Sequence, residues 1–293
     1  MSTESTDLLP RGAPGPAPAG DQARRPRRAL RPEVLLQTLH LQRRSLAVWS
    51  LALVLLVAMY GAIWPSLRDQ PILTDFMDRM PEVMRSLLAD ADMSTPVGYV
   101  QAEVLSITGP LLVILYAVSS GAGGIAGEED RRRLDMLLAN PVSRTRVVLE
   151  KAGAMTVGVL VLVTAIGLSL VVGGWLGGPE IPVGRVVAAM AHLSLLGLVF
   201  GALAAAVGGL TGNLAASRAV PAVVAVLAYA VNGLAPLVPW LEPLQDLSPF
   251  AQYTGARPLV LGFSPGDATV AVLTAAVLIA VSVVGFRRRD IGV

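Results

Sequence analysis

Charged side chains are concentrated in one short part of an apolar chain, between residues 128 and 151. Glu128, Glu129 and Asp130 come first, and three arginines follow directly. Adjacent carboxylates are the groups that share a proton and activate water in acid–base hydrolysis. If the same segment folds as a helix, it instead offers a charged surface that a partner protein recognises. The elements around the segment must decide between the two chemistries.

The hydrolytic alternative depends on one pattern. Glu128, Glu129 and Arg133 match the E-E-x-x-x-R arrangement of glutamic intramembrane proteases. That family also uses an F-x-x-x-H motif, which this chain lacks. Ser194 and His192 are two residues apart and point to different faces of a helix, which disfavours a serine protease. A glutamic protease using Glu128 and Glu129 remains one alternative.

The composition indicates an integral membrane protein. Of 293 residues, 54% are hydrophobic and only 15% are charged, whereas soluble domains carry about 25% charged residues. The chain has no cysteine and two histidines, which argues against thiolate chemistry and a histidine-rich metal site. Lys151 is the only lysine and no glycine loop precedes it, so the chain is not a P-loop ATPase. The net charge of +2 gives no indication of nucleic-acid binding.

Six apolar segments are long enough to cross a bilayer, whose hydrocarbon core of ~30 Å requires about 20 helical residues. We therefore predict an all-α membrane protein. The predicted spans are Ser45–Trp64, Val104–Ile125, Val147–Val172, Arg185–Leu210, Ala219–Trp240 and Asp267–Phe286.

The distribution of basic residues predicts the orientation. With the N-terminus inside, 18 Lys and Arg residues lie on the cytoplasmic side and five lie outside. Both termini and the charged segment are therefore predicted to be cytoplasmic, in a multi-pass protein of the plasma membrane. Residues 1–30, rich in Pro, Gly, Ala and Arg, are predicted to be a disordered tail, and 31–293 form the membrane domain. The preference for Arg over Lys indicates a GC-rich genome and hence a bacterial source.

Two further segments are predicted to be helical outside the spans. Residues 31–44 place leucines on one broad face, which is typical of a helix lying in the cytoplasmic interface. A plain N-terminal extension of the first span is the equal alternative. Apolar residues recur at helical spacing in the external loop 66–103, so an amphipathic helix is predicted there, divided at Pro81.

The fourth and fifth spans carry the remaining candidate residues. His192 and Asn232 are polar groups at membrane depth, which makes them candidates for a transport pathway or for hydrogen bonds between helices. A ridge of small residues predicts a close contact with another helix, in the same or a second subunit, through Gly197, Gly201, Ala205 and Gly209. The spans contain few aromatic residues and no carboxylate away from their ends. This favours a hydrophobic or amphiphilic cargo and disfavours a proton-coupled carrier.

The charged segment has the pattern of a short helix with two different faces. Leu134, Leu137 and Leu138 follow the arginines at i, i+3 and i+4. Pro141 ends this helix, and Ser143 caps the next one. We interpret the segment as a stiff connection between two membrane helices, shaped for a partner.

These residues carry a resemblance to a known family. The segment resembles the signature of type-2 ATP-binding cassette (ABC) exporter permeases, I-x-x-E-x-x-x-G-T-L-(D/E)-x-L-L-x-x-P-(V/I)-(S/T)-R. The matching positions are Ile125, Glu128, Leu134, Asp135, Leu137, Leu138, Pro141, Val142, Ser143, Arg144 and Lys151. Arg132 and Arg133 stand where Gly-Thr is usual, so the local contacts are expected to differ. The six-span layout also resembles the family, over roughly residues 31–293.

The resemblance implies the membrane subunit of an exporter driven by a separate nucleotide-binding ATPase, which would bind ATP and Mg; this chain itself would bind no cofactor. The charged segment would be a coupling helix that docks on the ATPase, and a second permease chain, identical or paralogous, would complete the assembly. The docking candidates are Glu128, Glu129, Asp130, Arg131, Arg132, Arg133, Asp135, Pro141 and Arg144. An accessory membrane protein without its own transport path is the remaining alternative.

Overall fold

Helices make up almost all of the chain that the computed structural model describes, which is residues 33–67, 79–87, 91–130, 143–255 and 257–289, and no strand occurs in these ranges. In chain order the helices are α1 (Glu33–Leu67), α2 (Glu82–Leu87), α3 (Pro96–Gly124), α4 (Ala126–Asp130), α5 (Arg144–Trp175), α6 (Val183–Thr211), α7 (Leu214–Leu234), α8 (Glu242–Gln245), α9 (Pro249–Thr254), α10 (Pro258–Leu261) and α11 (Pro265–Arg288). Six of them are long and apolar enough to cross a membrane, namely α1, α3, α5, α6, α7 and α11. The predicted all-α membrane fold is confirmed, whereas the predicted tail 1–30 lies outside the described residues.

The central helix of the bundle is α6, which packs against α3, α5, α7 and α11, while α1 packs along α5. Most of α6 is buried, whereas α1, α7 and α11 expose most of their length. Small residues allow this central position. A Cβ atom at Gly197 would lie 2.6 Å from the Val113 side chain of α3, and one at Gly209 would lie 2.5 Å from the Ser282 carbonyl oxygen of α11. These two positions therefore require glycine for the helices to approach so closely.

The first helix differs from the predicted interfacial element. A single helix of 35 residues, about 52 Å long at 1.5 Å per residue, runs from Glu33 to Leu67. The interfacial helix predicted for residues 31–44 is therefore wrong, and the alternative of an N-terminal extension of the first span is confirmed. Neither Gly nor Pro occurs between residues 33 and 60, so nothing interrupts the helical hydrogen bonding.

The segment predicted to be an external loop is described only in part. Residues 68–78 and 88–90 of the predicted amphipathic segment lie outside the described ranges. In the described part of this segment, α2 begins directly after Pro81, the residue at which the sequence predicts the division. This helix packs against α7.

The N-terminal half of α3 has a wider helical turn than an α-helix, with π-type hydrogen bonding over Gln101–Thr108. Pro110 explains it, since it has no N–H to donate to the carbonyls of the preceding turn. The Leu105 carbonyl instead accepts a hydrogen bond at 2.9 Å from the hydroxyl of Tyr253 in α9. Tyr253 is 3% exposed, and its burial raises the pKa of the hydroxyl. A residue 148 positions away thus completes the hydrogen bonding of a spanning helix.

Candidate functional site

The charged segment begins and ends at the same end of the helix bundle. There α4 follows α3 after one residue and ends at Asp130, and α5 begins at Arg144. As predicted, Ser143 caps α5, because its hydroxyl oxygen accepts a hydrogen bond from the Arg146 N–H at 3.3 Å. We call this the charged end of the bundle, defined by Glu128, Glu129, Arg144, Lys151 and Arg289. Residues 131–142, between α4 and α5, lie outside the described ranges.

One ion pair joins the two sides of this gap. The Lys151 ammonium of α5 donates to Glu128 Oε1 of α4 at 2.7 Å. Both side chains are mostly buried, with exposed fractions of 11% for lysine and 17% for glutamate. Removing one partner of a buried pair is strongly destabilising, because the other charge then stays buried without compensation. The pair therefore holds the end of α3–α4 against the beginning of α5.

A second ion pair joins α4 to the C-terminal end of α11. Arg289 donates to Glu129 Oε1 at 2.5 Å and also to the Gly208 carbonyl of α6 at 3.4 Å. The guanidinium lies against Gly212, whose φ of +65° ends α6 in the left-handed conformation that favours glycine. A cation at this position also interacts favourably with the negative end of the α6 dipole. Arg289 therefore connects α4, α6 and α11 through one side chain.

Arg144 provides a third connection, from the start of α5 to the end of α11. Its Nη1 donates to the carbonyls of Phe286 at 3.1 Å and of Arg289 at 2.7 Å. The same guanidinium lies 5.6 Å from the centre of the Phe286 ring. The final carbonyls of a helix have no partner within it, so Arg144 satisfies groups that α11 leaves unpaired.

Glu150 connects α5 to the beginning of α1. Its Oε2 accepts a hydrogen bond from the Leu35 N–H at 3.0 Å, and its Oε1 accepts one from Arg146 at 2.6 Å. The carboxylate thereby satisfies one of the free N–H groups in the first turn of α1 and lies at the positive end of that helix dipole. All these contacts lie at the charged end.

Together these contacts form what we call the ionic clamp, made by Glu128, Glu129, Arg144, Glu150, Lys151 and Arg289. The clamp fixes both sides of residues 131–142 to α1, α5, α6 and α11. Its contacts are ion pairs, hydrogen bonds to the free ends of helices and one cation–π contact.

The structure places the predicted docking residues in three groups. Glu128, Glu129 and Arg144 are engaged within the chain by the clamp. Asp130 is exposed at the end of α4. The other five lie outside the described residues: Arg131, Arg132, Arg133, Asp135 and Pro141. Sequence reasoning did not identify Glu150 and Arg289, and the run of three arginines before the C-terminus was the signal available for Arg289.

The contacts of the two α4 carboxylates bear on the protease alternative. Glu128 and Glu129 each bind a different cation, on α5 and after α11, so their contacts give no support to a proton shared between them. Within the described ranges, no group of three or more His, Asp or Glu side chains is placed to hold a metal ion.

The two polar residues at membrane depth lie towards the opposite end of the bundle. His192 Nε2 accepts a hydrogen bond from the Ser264 N–H at 3.2 Å, and Asn232 donates to the Thr254 hydroxyl at 3.1 Å. The cavity beside His192 and Asp267 has a volume of only about 10 Å³, which is room for roughly one water molecule. Both residues thus connect spanning helices to the short segments between α7 and α11.

The small residues of α6 face neighbours within the chain. Gly197 and Gly201 approach α3, and the Ala205 carbonyl accepts a hydrogen bond at 2.7 Å from the Ser282 hydroxyl of α11. Gly209 lies against the same part of α11. The ridge therefore serves packing inside the subunit on two sides of α6.

Comparison with known families identifies the class of protein. Residues 36–287 match the family model described as "Multidrug efflux system permease Rv1217c, C-terminal domain". The chain belongs to this family. The match covers the six spanning helices, apart from the first three residues of α1 and the last residue of α11, and every residue of the ionic clamp except Arg289. No curated protein matches the chain. The permease is thus a multi-pass membrane protein of an efflux family, in agreement with the resemblance seen in the charged segment.

Proposed function

We propose that the permease is the membrane-spanning subunit of an ABC exporter, which moves substrate out of the cytoplasm with ATP hydrolysed by a separate nucleotide-binding subunit. Family membership supports the efflux role. The absence of a P-loop motif from the sequence supports a separate source of ATP hydrolysis. ATP and Mg would be bound by that partner, and a second permease chain would complete the assembly.

The observation that carries the proposal is the ionic clamp. In this proposal residues 128–144 dock on the ATPase and receive its movement, with the charged end facing the cytoplasm. A connecting loop that only needs solvation does not require both of its sides to be fixed to four helices. A segment that transmits movement does require it, because a loosely attached segment could move without moving the spanning helices. In this proposal Asp130 and residues 131–142 contact the ATPase, while Glu128, Glu129 and Arg144 anchor the two ends of the docking segment within the chain.

Exchanging the two charges of the Glu128–Lys151 pair tests this proposal. The permease is co-expressed with candidate P-loop ATPases from its own genome, the one that copurifies is kept, and dye efflux and ATP hydrolysis are measured in proteoliposomes. We expect Lys151→Glu to place like charges in contact and to abolish at least nine-tenths of efflux. The double variant Glu128→Lys/Lys151→Glu should restore most of it, because the pair is reformed with opposite polarity. The amount of ATPase that copurifies with the permease should be similar for the unchanged protein, the single variant and the double variant.

The matched control is Arg185→Glu, which reverses an exposed charge in the first turn of α6 at the opposite end. It should leave efflux close to that of the unchanged protein. Failure of any ATPase to copurify would instead favour an accessory membrane protein. Cleavage of a membrane substrate that Glu129→Gln alone abolishes would favour the protease.

A further inference from the structure

One contact between the central helix α6 and the last spanning helix α11 depends on a side chain that changes charge near neutral pH. His192 of α6 is 3% exposed, and its Nε2 accepts a hydrogen bond at 3.2 Å from the backbone N–H of Ser264, the N-cap residue of α11. Nε2 accepts only while it carries no proton, so the contact requires the neutral imidazole with its hydrogen on Nδ1. Histidine changes charge between pH 5 and 8. The contact therefore exists in one protonation state only.

The beginning of α11 differs from an ordinary capping box. In such a box the side chain of the third helical residue accepts a hydrogen bond from the backbone N–H of the N-cap residue. Asp267 occupies that position, but its Oδ2 accepts from the hydroxyl of Ser264 at 2.6 Å. The N–H goes to His192 instead. Within the described residues, Asp267 Oδ1 accepts no hydrogen bond. One donor thus has two acceptors within reach, one on α6 and one on its own helix.

The charges around the imidazole favour such an exchange. Asp267 is the charged neighbour that acts on the ring, and a carboxylate beside a histidine favours its charged form. Tyr253 of α9 lines the same cavity, whose volume of about 10 Å³ is room for roughly one water molecule. Arg185 and Arg257 are exposed and, in the part of the chain that is described, neither lines this cavity. Asp267 is only half-buried, so a proton can reach the ring from solvent along this side.

We propose that His192, Ser264 and Asp267 form an acid-sensitive switch, which holds the beginning of α11 to α6 while the imidazole is neutral and releases it when Nε2 takes up a proton. The protonated Nε2 would face the Ser264 N–H as a second donor. Asp267 then accepts that N–H, as in an ordinary capping box, and pairs with the imidazolium. The hydrogen bond between the two helices is lost, whereas α11 stays capped.

The position of the switch determines which compartment it senses. α6 and α11 meet here at the end of the bundle opposite the charged end, because α6 begins and α11 begins on this side. In the orientation proposed above, this is the exterior. External acid would therefore loosen the last spanning helix from the centre of the bundle. The switch itself does not depend on an ATPase.

The small number of histidines makes a direct test possible. His40 of α1 is exposed, and His40→Gln leaves His192 as the one imidazole in the chain. The full-length permease, labelled with nitrogen-15 in its histidine ring and held in detergent micelles, is studied by NMR at pH 8 and pH 5. We expect the unprotonated ring nitrogen at pH 8 to be Nε2, and both nitrogens to carry hydrogen at pH 5. The opposite tautomer at pH 8, or a neutral ring at pH 5, would overturn the proposal.

Thermal melting tests whether the proton weakens the junction. Between pH 8 and pH 5, the melting temperature of the unchanged permease should fall by about 2–4 °C more than that of His192→Gln. Glutamine offers an amide oxygen to the Ser264 N–H and gains no charge in acid. Asp267→Asn should enlarge the fall, because its amide gives the imidazolium no opposite charge. His40→Gln is the matched control and should behave as the unchanged protein.

Hydrogen exchange shows whether the beginning of α11 is released. After correction for the intrinsic effect of pH, backbone amides of residues 264–270 should exchange faster at pH 5 than at pH 8 in the unchanged protein and at equal rates in His192→Gln. An equal pH response of these two proteins, in melting or in exchange, would contradict the switch. Helical circular dichroism at pH 8 should be the same for all variants. No ATPase is present, so each of these results leaves the proposed function standing.

Discussion

Two adjacent glutamates account for much of the ionic clamp. Consecutive residues of a helix point about 100° apart, so Glu128 and Glu129 reach different neighbours from one short turn. Glu128 binds Lys151 of α5, and Glu129 binds Arg289 beyond α11. A single carboxylate at this position would fix α4 to only one helix. The geometry of one helical turn therefore explains why the clamp uses two glutamates.

The Glu129–Arg289 contact predicts a specific change in stability. Glu129 has an exposed fraction of 28%, and its second carboxylate oxygen is buried without a described partner. Arg289→Gln should therefore lower the free energy of unfolding by about 1–3 kcal/mol, because a buried charge would lose its hydrogen bond. Thermal melting in detergent, followed by circular dichroism, measures the change.

A control for this prediction is available two residues earlier. Arg287→Gln removes an exposed arginine and should leave the melting temperature almost unchanged. The double variant Glu129→Gln/Arg289→Gln should recover part of the loss, since no charge then stays buried. Equal melting of the two single arginine variants would contradict the assigned role of Arg289.

The sequence allowed some of these residues to be predicted and not others. Glu128, Arg144 and Lys151 belong to the segment that resembles a known signature, so the sequence drew attention to them, but as docking or signature positions and not as partners within the chain. The partner of Glu129 lies 160 residues away, and a single sequence has no local signal for such a contact. The contact of Glu150 could not be predicted either. Its partner is the backbone N–H of Leu35, a group that every residue except proline has, so the identity of residue 35 gives no signal.

Among the elements, α3 has the clearest dependence on a residue outside it. The π-type stretch before Pro110 leaves the Leu105 carbonyl to accept from Tyr253. Tyr253→Phe should therefore lower the free energy of unfolding by about 1 kcal/mol, the net value of one hydrogen bond, with some further loss from the unpaired buried carbonyl. Thermal melting in detergent tests it.

The comparison for this element is Tyr60→Phe in α1. The Tyr60 hydroxyl makes no hydrogen bond within the part of the chain that the structure describes, so its removal should have little effect. If both tyrosine variants melt at the same temperature, the hydroxyl of Tyr253 does not support α3 as inferred.

The spanning helices were predictable because each must satisfy its backbone within one long apolar segment. The short helices between α7 and α11 were not, because each has only four to six residues. Such elements have no measurable periodicity, and prolines near their first positions are the main local signal. The interfacial helix predicted for residues 31–44 was wrong for a different reason. Its amphipathic pattern is clear, but that pattern is equally typical of a separate interfacial helix and of the first turns of a spanning helix.

At the scale of the whole molecule, the ionic clamp is connected to most of the bundle because one of its residues binds the central helix α6. The helix packs against four spanning neighbours, and its C-terminal end is held by Arg289. In the proposed mechanism, a shift of α4 would therefore reach both α11 and the middle of the bundle. This connection is useful for transport only if the charged end faces the compartment that holds ATP.

The orientation is testable because the natural chain contains no cysteine. Leu247→Cys introduces a thiol at a position that is 76% exposed at the opposite end of the bundle, and Arg287→Cys introduces one at the charged end. In intact cells a membrane-impermeant maleimide should label the cysteine at position 247 and not the one at position 287. Both should react after permeabilisation, which serves as the control for thiol accessibility. The reverse pattern would place the charged segment outside the cell, where no ATPase could drive it.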